Sequence, residues 1–185
     1  MGSWQAWVVR RDIPCDIVDI ARTMYHAAMS QDPSTSPVCK IVSGGQTGVD
    51  RAALDAAIFL GIPHGGWCPK GRRSEDGTIP ERYELVEVDA RDYSVRTEQN
   101  VIDSVATLIL CRGEPSGGTA FTQKMARKHK RPCLTIDLLS DVDPDVIRQW
   151  LIAEDVRTLN VAGPRASSSD GIGDEARELL VRVFE

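Results

Sequence analysis

The sequence predicts a three-layer, doubly wound α/β domain with a mainly parallel sheet. Short apolar runs that are typical of strands alternate along the chain with stretches of helical periodicity. Ala106–Cys111 is a continuous apolar run, as expected of a strand that is buried on both faces. Glycine-rich turns follow this run and the first predicted strand. Strands separated by helices imply right-handed crossovers, so neighbouring strands are expected to be parallel.

The first predicted strand, Cys39–Ser43, is a short apolar run that ends at two glycines. An alanine-rich helix follows over Arg51–Leu60, and Gly61 ends it because glycine tolerates the left-handed conformation beyond a helix. A second strand is predicted over Ile62–Cys68. A third is predicted over Glu84–Val88, where apolar residues lie between acidic ones.

The second half of the chain continues the alternation. Thr97 is predicted to cap a helix that runs to Ser104, and the buried strand Ala106–Cys111 follows. The next helix, Ala120–Lys130, ends before a proline. The remaining predicted elements are a strand at 133–136, a helix starting at 143–144, a strand at 157–161 and an amphipathic helix over 176–183.

Residues 1–36 are predicted to be a helical extension and linker, followed by the α/β domain over residues 37–185. Apolar residues recur at helical spacing from Ile17 to Ala28, and a polar stretch follows them. Three interpretations of the extension remain open. It is an accessory helix, a dimerisation arm, or an upstream segment with Met29 as the true start.

Composition and charge restrict the classes of partner. The net charge of −5 and the pI of about 5.3 argue against nucleic acid, because proteins that bind phosphate backbones usually carry a basic surplus. The five cysteines form no C-x-x-C pair, which argues against a disulfide framework and favours a reducing cytoplasm. No apolar stretch is long enough to suggest a membrane span. His64 and Cys68 are too few ligands for a metal site, so none is predicted.

The first of four candidate ligand-binding segments joins the first predicted strand to the first predicted helix. Its three glycines let backbone N–H groups face a ligand, and the helix N-terminus favours an anion. The segment is neither a Walker P-loop nor a G-x-G-x-x-G motif, and a tight turn capped by Asp50 is the alternative. The residues predicted to bind phosphate here are Ser43, Gly44, Gly45, Gln46, Thr47 and Gly48.

Two further segments follow later strands. Gly117, Gly118 and Thr119 offer two amides and a hydroxyl at a helix start, and Arg165 follows the last strand with neighbouring serines. Because ligands of doubly wound sheets bind beyond the carboxyl ends of the strands, these loops are expected to meet the first one. A structural turn and a flexible surface loop are the alternatives.

The fourth segment, Gly65–Gly77, concentrates cations within an acidic protein. Lys70, Arg72 and Arg73 are predicted to be counter-charges for the ligand. Trp67 is predicted to offer its ring to a base or a pterin. A solvated loop with the tryptophan packed into the core is the alternative.

Four stretches carry a family resemblance: Ser43–Leu54, Gly65–Pro80, Arg96–Asp103 and Gly117–Thr119. Together they resemble the putative molybdenum carrier protein family. That family belongs to a Rossmann-like superfamily with lysine-decarboxylase-like phosphoribohydrolases and DNA-processing protein A. The resemblance runs from Lys40 to the C-terminus. It implies a Rossmann-like fold, a nucleotide or molybdenum cofactor over the strand ends, and a homodimer.

The hydrolases of that superfamily carry Pro-Gly-Gly-x-Gly-Thr-x-x-Glu, whereas Ser116–Gln123 of this chain lacks the glutamate. Hydrolysis of an N-glycosidic bond needs a carboxylate. The candidates are Asp50, Glu75 and Asp76, with Arg51 or Arg73 as a clamp for phosphate.

Three functions are therefore compatible with the sequence. The favoured one is a cytoplasmic, homo-oligomeric module that binds a small phosphate-bearing nucleotide or cofactor. The second is a phosphoribohydrolase that acts on nucleoside monophosphates. The third is a sensor or interaction protein, in which ligand binding alters the N-terminal extension or an oligomer interface.

Overall fold

A computed structural model of the protein describes residues 37–185, and the predicted extension over residues 1–36 lies outside the described residues. The strands are β1 (Lys40–Val42), β2 (His64–Gly65), β3 (Trp67–Cys68), β4 (Arg73–Ser74), β5 (Gly77–Thr78), β6 (Val86–Glu87), β7 (Ala106–Cys111), β8 (Cys133–Asp137) and β9 (Thr158–Ala162). The helices are α1 (Val49–Leu60), α2 (Tyr93–Ile102), α3 (Gly117–Lys128), α4 (Pro144–Ala153) and α5 (Ile172–Phe184), with a short 3₁₀ helix over Ala166–Ser168.

The main sheet confirms the predicted fold class. Five parallel strands lie in the order β2-β1-β9-β7-β8. From β1 the chain passes through α1 to β2 at one edge, and from β7 it passes through α3 to β8 at the other. The first half of the chain therefore adds its strand at one edge of the sheet, and the second half adds its strand at the other. The last strand, β9, lies between β1 and β7. The carboxyl ends of these three strands lie where doubly wound proteins bind ligands.

Helices cover both faces of the sheet and complete the three layers. Helix α5 packs on both α1 and α4, and the three helices share the largest apolar cluster with the buried strands. Helix α2 packs on α3 around a smaller apolar cluster. The buried face of α1 is built from small residues, which let α5 pack directly on it: Ala52, Ala53, Ala56 and Ala57.

The predicted strand Ile62–Cys68 is two strands, because Gly66 interrupts it. Gly66 has a φ of 127°, and a Cβ at this residue would lie 2.2 Å from the Ser43 carbonyl oxygen. Strand β2 pairs with β1 in the main sheet, whereas β3 pairs with β6. An antiparallel hairpin of β4 and β5, which the sequence analysis did not predict, follows and has Glu75 and Asp76 at its turn.

Helix α2 begins earlier than predicted. Its N-cap is Asp92, whose carboxylate accepts a hydrogen bond of 2.8 Å from Ser94 N. Thr97 lies inside the helix, where its hydroxyl donates to the Tyr93 carbonyl oxygen. Threonine and aspartate both serve as N-caps, so the pattern alone did not separate the two positions. The earlier start places Tyr93, Ser94 and Arg96 on the helix.

The residues from 37 to 185 contain no helix that is both long and apolar enough to cross a membrane. In the same range, no cluster of three or more histidine, cysteine or carboxylate side chains is arranged to hold a metal ion. The four cysteines of this range are free thiols.

Candidate functional site

A cavity of about 580 Å³ lies over the carboxyl ends of β1, β7 and β9. Its walls come from the loops after these strands, from the first turns of α2 and α3, and from the β4–β5 turn. This volume lies within the range of pockets that bind small molecules, about 300–1,000 Å³. Seven residues of the predicted site line it: Gln46, Asp50, Glu75, Gly117, Gly118, Thr119 and Arg165.

The loop after β1 is held against the loop after β9. The Ser43 hydroxyl donates a hydrogen bond of 2.7 Å to the Val161 carbonyl oxygen. Gly48 has a φ of 77°, and a Cβ there would lie 2.5 Å from the Pro164 carbonyl oxygen. These contacts bring the first and third predicted segments side by side. Of the six residues predicted in the first loop, Gln46 is the one that lines the cavity.

A buried ion pair lies beside the cavity, between α1 and α2. Arg96 Nη1 is 3.1 Å from Asp50 Oδ2, and the two side chains are 14% and 5% exposed. Burial raises the pKa of the Asp50 carboxyl, and the positive charge of Arg96 opposes that rise. Gly44 makes room for the pair, because a Cβ at this residue would lie 1.6 Å from Arg96 Nη1. The N-cap of α1 is Gly48, so Asp50 is not its cap.

Arg96 is the main residue of the site that the sequence analysis missed. Its Nε is buried and has no hydrogen-bond partner among residues 37–185. Buried polar groups are nearly always paired, so this atom marks donor capacity that the described residues leave unused. The signal that could have found Arg96 is Asp92, because a cap at Asp92 puts Arg96 near the start of α2.

The second predicted segment presents free backbone donors to the cavity. Gly117, Gly118 and Thr119 form the first turn of α3, and the Ser116 side chain makes no capping hydrogen bond. Within residues 37–185 the amides of Gly117 and Gly118 donate no hydrogen bond. Apart from the chain neighbours and the backbone of the helix itself, no atom lies within 4 Å of the position that a Cβ would take at either glycine, so the space beside these residues is open. Such amides favour an anion.

The third predicted segment is tied to the β4–β5 turn through Glu75. Arg165 Nε is 3.3 Å from Glu75 Oε2, which also accepts a hydrogen bond from the Ser167 hydroxyl. Glu75 Oε1 accepts from Ser167 N at 3.1 Å and from the Thr47 hydroxyl. The hydrogen bonds from Ser167 and Thr47 lower the pKa of the Glu75 carboxyl, so it is ionised at neutral pH.

The charged side chains that line the cavity cancel in pairs. Asp50 faces Arg96, and Glu75 faces Arg165. Two aromatic rings, those of Tyr93 and Phe121, also line the cavity, from α2 and α3. The cavity therefore offers backbone amides, paired charges and apolar rings rather than a large excess of positive charge.

Two of the predicted catalytic residues, Arg51 and Asp76, lie outside the cavity lining and pair with each other. Arg51 Nη1 and Nη2 donate to the Asp76 carboxylate at 2.6 and 2.7 Å. Arg51 Nη2 also donates to the Ser74 hydroxyl at 2.8 Å, and Nε donates to the Gly45 carbonyl oxygen at 3.2 Å. These contacts anchor the β4–β5 hairpin to the loop after β1.

Replacing Asp76 by asparagine is expected to lower stability at neutral pH but not in acid. Hydrogen bonds from Arg51 lower the pKa of Asp76 from 3.8 to about 2. The ionised carboxylate therefore stabilises the fold above the unfolded-state pKa, and this contribution is lost as the pH falls through about 2. Because the side chain is 49% exposed, solvent screens the pair, and the expected difference at pH 7 is at most about 1 kcal/mol.

Thermal unfolding of both proteins, from neutral pH down to the lowest pH at which each remains folded, measures this difference. The two melting temperatures should converge as the pH falls. A gap that stays constant throughout that range would contradict the assigned ion pair.

The predicted ligand-binding residues of the fourth segment contact other parts of the protein instead of lining the cavity. The Arg72 guanidinium donates to four backbone carbonyl oxygens between residues 79 and 85. Lys70 Nζ lies 2.6 Å from an aspartate carboxylate, and the Trp67 indole donates to another at 2.7 Å. These three residues and Arg73 are outside the cavity lining. Their contacts with a ligand stay predictions.

The fold and the cavity define a Rossmann-like α/β protein with a ligand-sized site at the carboxyl edge of its sheet. The chain belongs to the circularly permutated YpsA SLOG family, whose model matches residues 41–184. The predicted family resemblance is thereby confirmed.

One solved structure, from Syntrophus aciditrophicus SB, is similar to this chain over most of its length. It is the crystal structure of a protein described as a putative molybdenum carrier protein. The two are 47% identical with a TM-score of 0.77, over 80% of this chain and 96% of that one. No match is found among curated proteins.

Proposed function

We propose that this protein binds a small phosphate-bearing nucleotide or cofactor in the cavity. The observation that carries the proposal is the pair of free amides at Gly117 and Gly118, two residues that line the cavity at the N-terminus of α3. Helix N-termini with exposed amides are well suited to phosphate, because the amides donate and the helix dipole favours negative charge. Thr119 and Arg96, which carry a hydroxyl and a guanidinium, line the same cavity.

The remainder of the ligand would contact the aromatic part of the lining. Tyr93 and Phe121 suit a planar ring, because aromatic side chains stack favourably on one another and on flat heterocycles. A phosphate at α3 and a ring beside Tyr93 and Phe121 together describe a nucleotide or a phosphorylated pterin.

The description of the similar protein from Syntrophus aciditrophicus directs the choice of ligand to test first. Molybdenum cofactor combines a pterin with a phosphate, and these are the two groups that the cavity residues fit. Gly117, Gly118 and Thr119 would hold its phosphate, and Tyr93 and Phe121 would flank its ring. When bound, the cofactor would supply a metal-carrying dithiolene, while the protein residues would orient and enclose it.

Native mass spectrometry of the purified protein tests the proposal directly, because it detects whatever ligand co-purifies. Calorimetric titration with molybdopterin and a panel of nucleoside mono-, di- and triphosphates provides the second arm. Saturable binding of one phosphate-bearing compound is the expected result. No binding across the panel, together with no co-purifying ligand, would remove the proposed function.

Replacing Gly118 by alanine is expected to weaken binding and to raise stability. The new methyl group would project into the open space beside Gly118, next to the amides that we propose bind the phosphate. An order-of-magnitude loss of affinity, about 1.4 kcal/mol, is expected. Alanine loses less backbone entropy than glycine on folding, so a gain in stability is expected, at most about 0.5–1 kcal/mol, the value that applies in the middle of a helix. Calorimetry with the best ligand and urea unfolding measure the two effects.

The opposite signs of the two effects separate a binding role of Gly118 from a structural one. Gly118→Val extends the series with a larger side chain and should weaken binding further. A variant that is as stable as the parent or more stable, yet binds equally well, would contradict the phosphate position.

Asp50 favours a second candidate function, hydrolysis of an N-glycosidic bond in a nucleoside monophosphate. Its carboxyl is buried at the cavity, and burial raises its pKa. Enzymes raise carboxyl pKa values in this way to make general acids. Release of a free base from nucleoside monophosphates, abolished in Asp50→Asn, is the result that this alternative requires. Absence of turnover in the unmodified protein would exclude it and leave ligand binding as the function.

A cytoplasmic location and a homodimer are further proposals, and both derive from the sequence and the family resemblance. A role of residues 1–36 in sensing a ligand is the third functional alternative. Light scattering with and without ligand, on the full chain and on a chain that starts at residue 37, tests the dimer and the sensor together. A ligand-dependent mass that disappears with the extension would favour the sensor.

A further inference from the structure

We propose that the Glu75 carboxylate occupies an oxyanion subsite of the cavity, and that an oxyanion of the ligand displaces it on binding. This inference rests on the proposed function, because it concerns the same cavity. It makes Glu75 a residue that determines specificity. A ligand binds fully only if one of its groups can replace a carboxylate among the donors that hold Glu75.

The donors around Glu75 are those that proteins use to bind phosphate. Thr47 and Ser167 contribute hydroxyls, Ser167 adds its backbone N–H at 3.1 Å, and the Arg165 guanidinium lies 3.3 Å away. Hydroxyls, amides and arginine together form strong, charge-assisted hydrogen bonds to oxyanions. Here the loops after β1 and β9 direct all of them at one carboxylate.

Of this group, Glu75 and Arg165 line the cavity, whereas Thr47 and Ser167 do not. Rotation of the Glu75 side chain away from the loops would leave two hydroxyls and an amide without their acceptor, and a ligand oxyanion could then accept from them. Thr47, which the sequence predicts as a phosphate-binding residue, loses its carboxylate acceptor in the same movement.

The backbone of the β4–β5 turn is held independently of the Glu75 carboxylate. Gln46 Oε1 accepts a hydrogen bond of 3.0 Å from Glu75 N. Next to it, the bidentate pair of Arg51 and Asp76 fixes the turn to the loop after β1. The Glu75 side chain can leave the subsite while the turn stays in place, and rotamer changes of this kind are fast.

The carboxylate and a ligand oxyanion exclude each other from the subsite. Glu75 is ionised at neutral pH, so a second anion on the same donors would meet a like charge at short range. The observed affinity is therefore the intrinsic affinity reduced by the fraction of molecules in which Glu75 has moved away. Removing the carboxylate removes this competition.

Calorimetric titration of the full chain with inorganic phosphate and with adenosine 5′-monophosphate tests the inference. Glu75→Ala is expected to bind at least one of the two about tenfold more tightly or better. Glu81→Ala removes the same charge from an exposed residue outside the cavity, and it should bind like the parent. Adding Thr47→Val to Glu75→Ala should reverse much of the gain.

The two probes distinguish the source of the oxyanion. A gain with adenosine 5′-monophosphate, with or without a gain with inorganic phosphate, shows that a phosphate ester enters the subsite, and a gain with inorganic phosphate alone identifies a free oxyanion. Glu75→Gln, which keeps the shape of the side chain, should also show a gain and serves if the alanine variant does not fold.

The inference is overturned if the parent protein binds a phosphate-bearing compound and the folded Glu75 variants bind it no more tightly. Glu75 would then be a structural link between loops or a direct contact of the ligand. If neither the parent nor the variants bind any compound of the nucleotide and molybdopterin panel, the proposed function itself fails and this inference fails with it.

Discussion

Gly66→Ala is expected to lower the free energy of unfolding by more than about 4 kcal/mol, the range of exceptional single substitutions. A Cβ at Gly66 would lie 2.2 Å from the Ser43 carbonyl oxygen and 2.9 Å from Asn100 Oδ1. Neither neighbour can move easily. Ser43 N donates to the Gly65 carbonyl oxygen at 3.0 Å, and Asn100 is hydrogen-bonded to both the N–H and the carbonyl of Trp67. Urea unfolding followed by circular dichroism measures the loss.

Gly77→Ala is the matched control for Gly66→Ala. Gly77 has a φ of 120°, close to the 127° of Gly66, but no atom lies within 4 Å of the position of its Cβ. Its substitution therefore introduces the backbone strain without the steric clash. The free energy of unfolding is expected to fall by about 1–3 kcal/mol. Equal losses in the two variants would show that the close packing of Gly66 on β1 contributes nothing.

Arg96→Leu is expected to destabilise the protein by about 3–5 kcal/mol, because it leaves the Asp50 carboxylate buried without its partner. Arg96 also lines the cavity, so ligand affinity should fall as well. The stability loss should depend on pH. Burial raises the pKa of Asp50, and losing Arg96 raises it further, so the neutral acid is favoured as the pH falls.

The stability loss of Arg96→Leu should therefore be largest at neutral and higher pH, and it should shrink in acid. Lys70→Met is the control, because Lys70 also pairs with an aspartate but does so in an exposed position. It should change stability little, since solvent screens exposed ion pairs. An Arg96 variant that resembles the Lys70 variant at every pH would contradict the assignment of a buried pair.

Much of the fold follows from patterns that are local in the sequence. The apolar run Ala106–Cys111 is the fully buried strand β7, and Gly61 ends α1 in a left-handed conformation. The helix and strand boundaries that differ from the predicted ones have local causes too. Gly66 interrupts a strand because its φ is positive, and Asp92 competes with Thr97 for the cap of α2.

The meeting of the glycine loops could be predicted because parallel strands place all their carboxyl ends at one edge. Gln46, Gly117, Gly118 and Arg165 accordingly line one cavity, although they are distant in sequence. The same reasoning says nothing about the direction of a long side chain. The position of Arg72 in a cationic loop predicts that it contacts a phosphate. Its guanidinium instead donates to backbone carbonyl oxygens between residues 79 and 85.

The sequence by itself determined the class of fold, the strands whose ends form the site and the loops with free amides. These features depend on hydrophobic periodicity and on glycine, which act within a few residues. Only the tertiary structure decided the polar partners, such as Arg96 for Asp50 and Ser167 for Glu75. Ion pairs and hydrogen bonds act over a few ångströms, so their partners depend on distances that folding creates between remote parts of the chain.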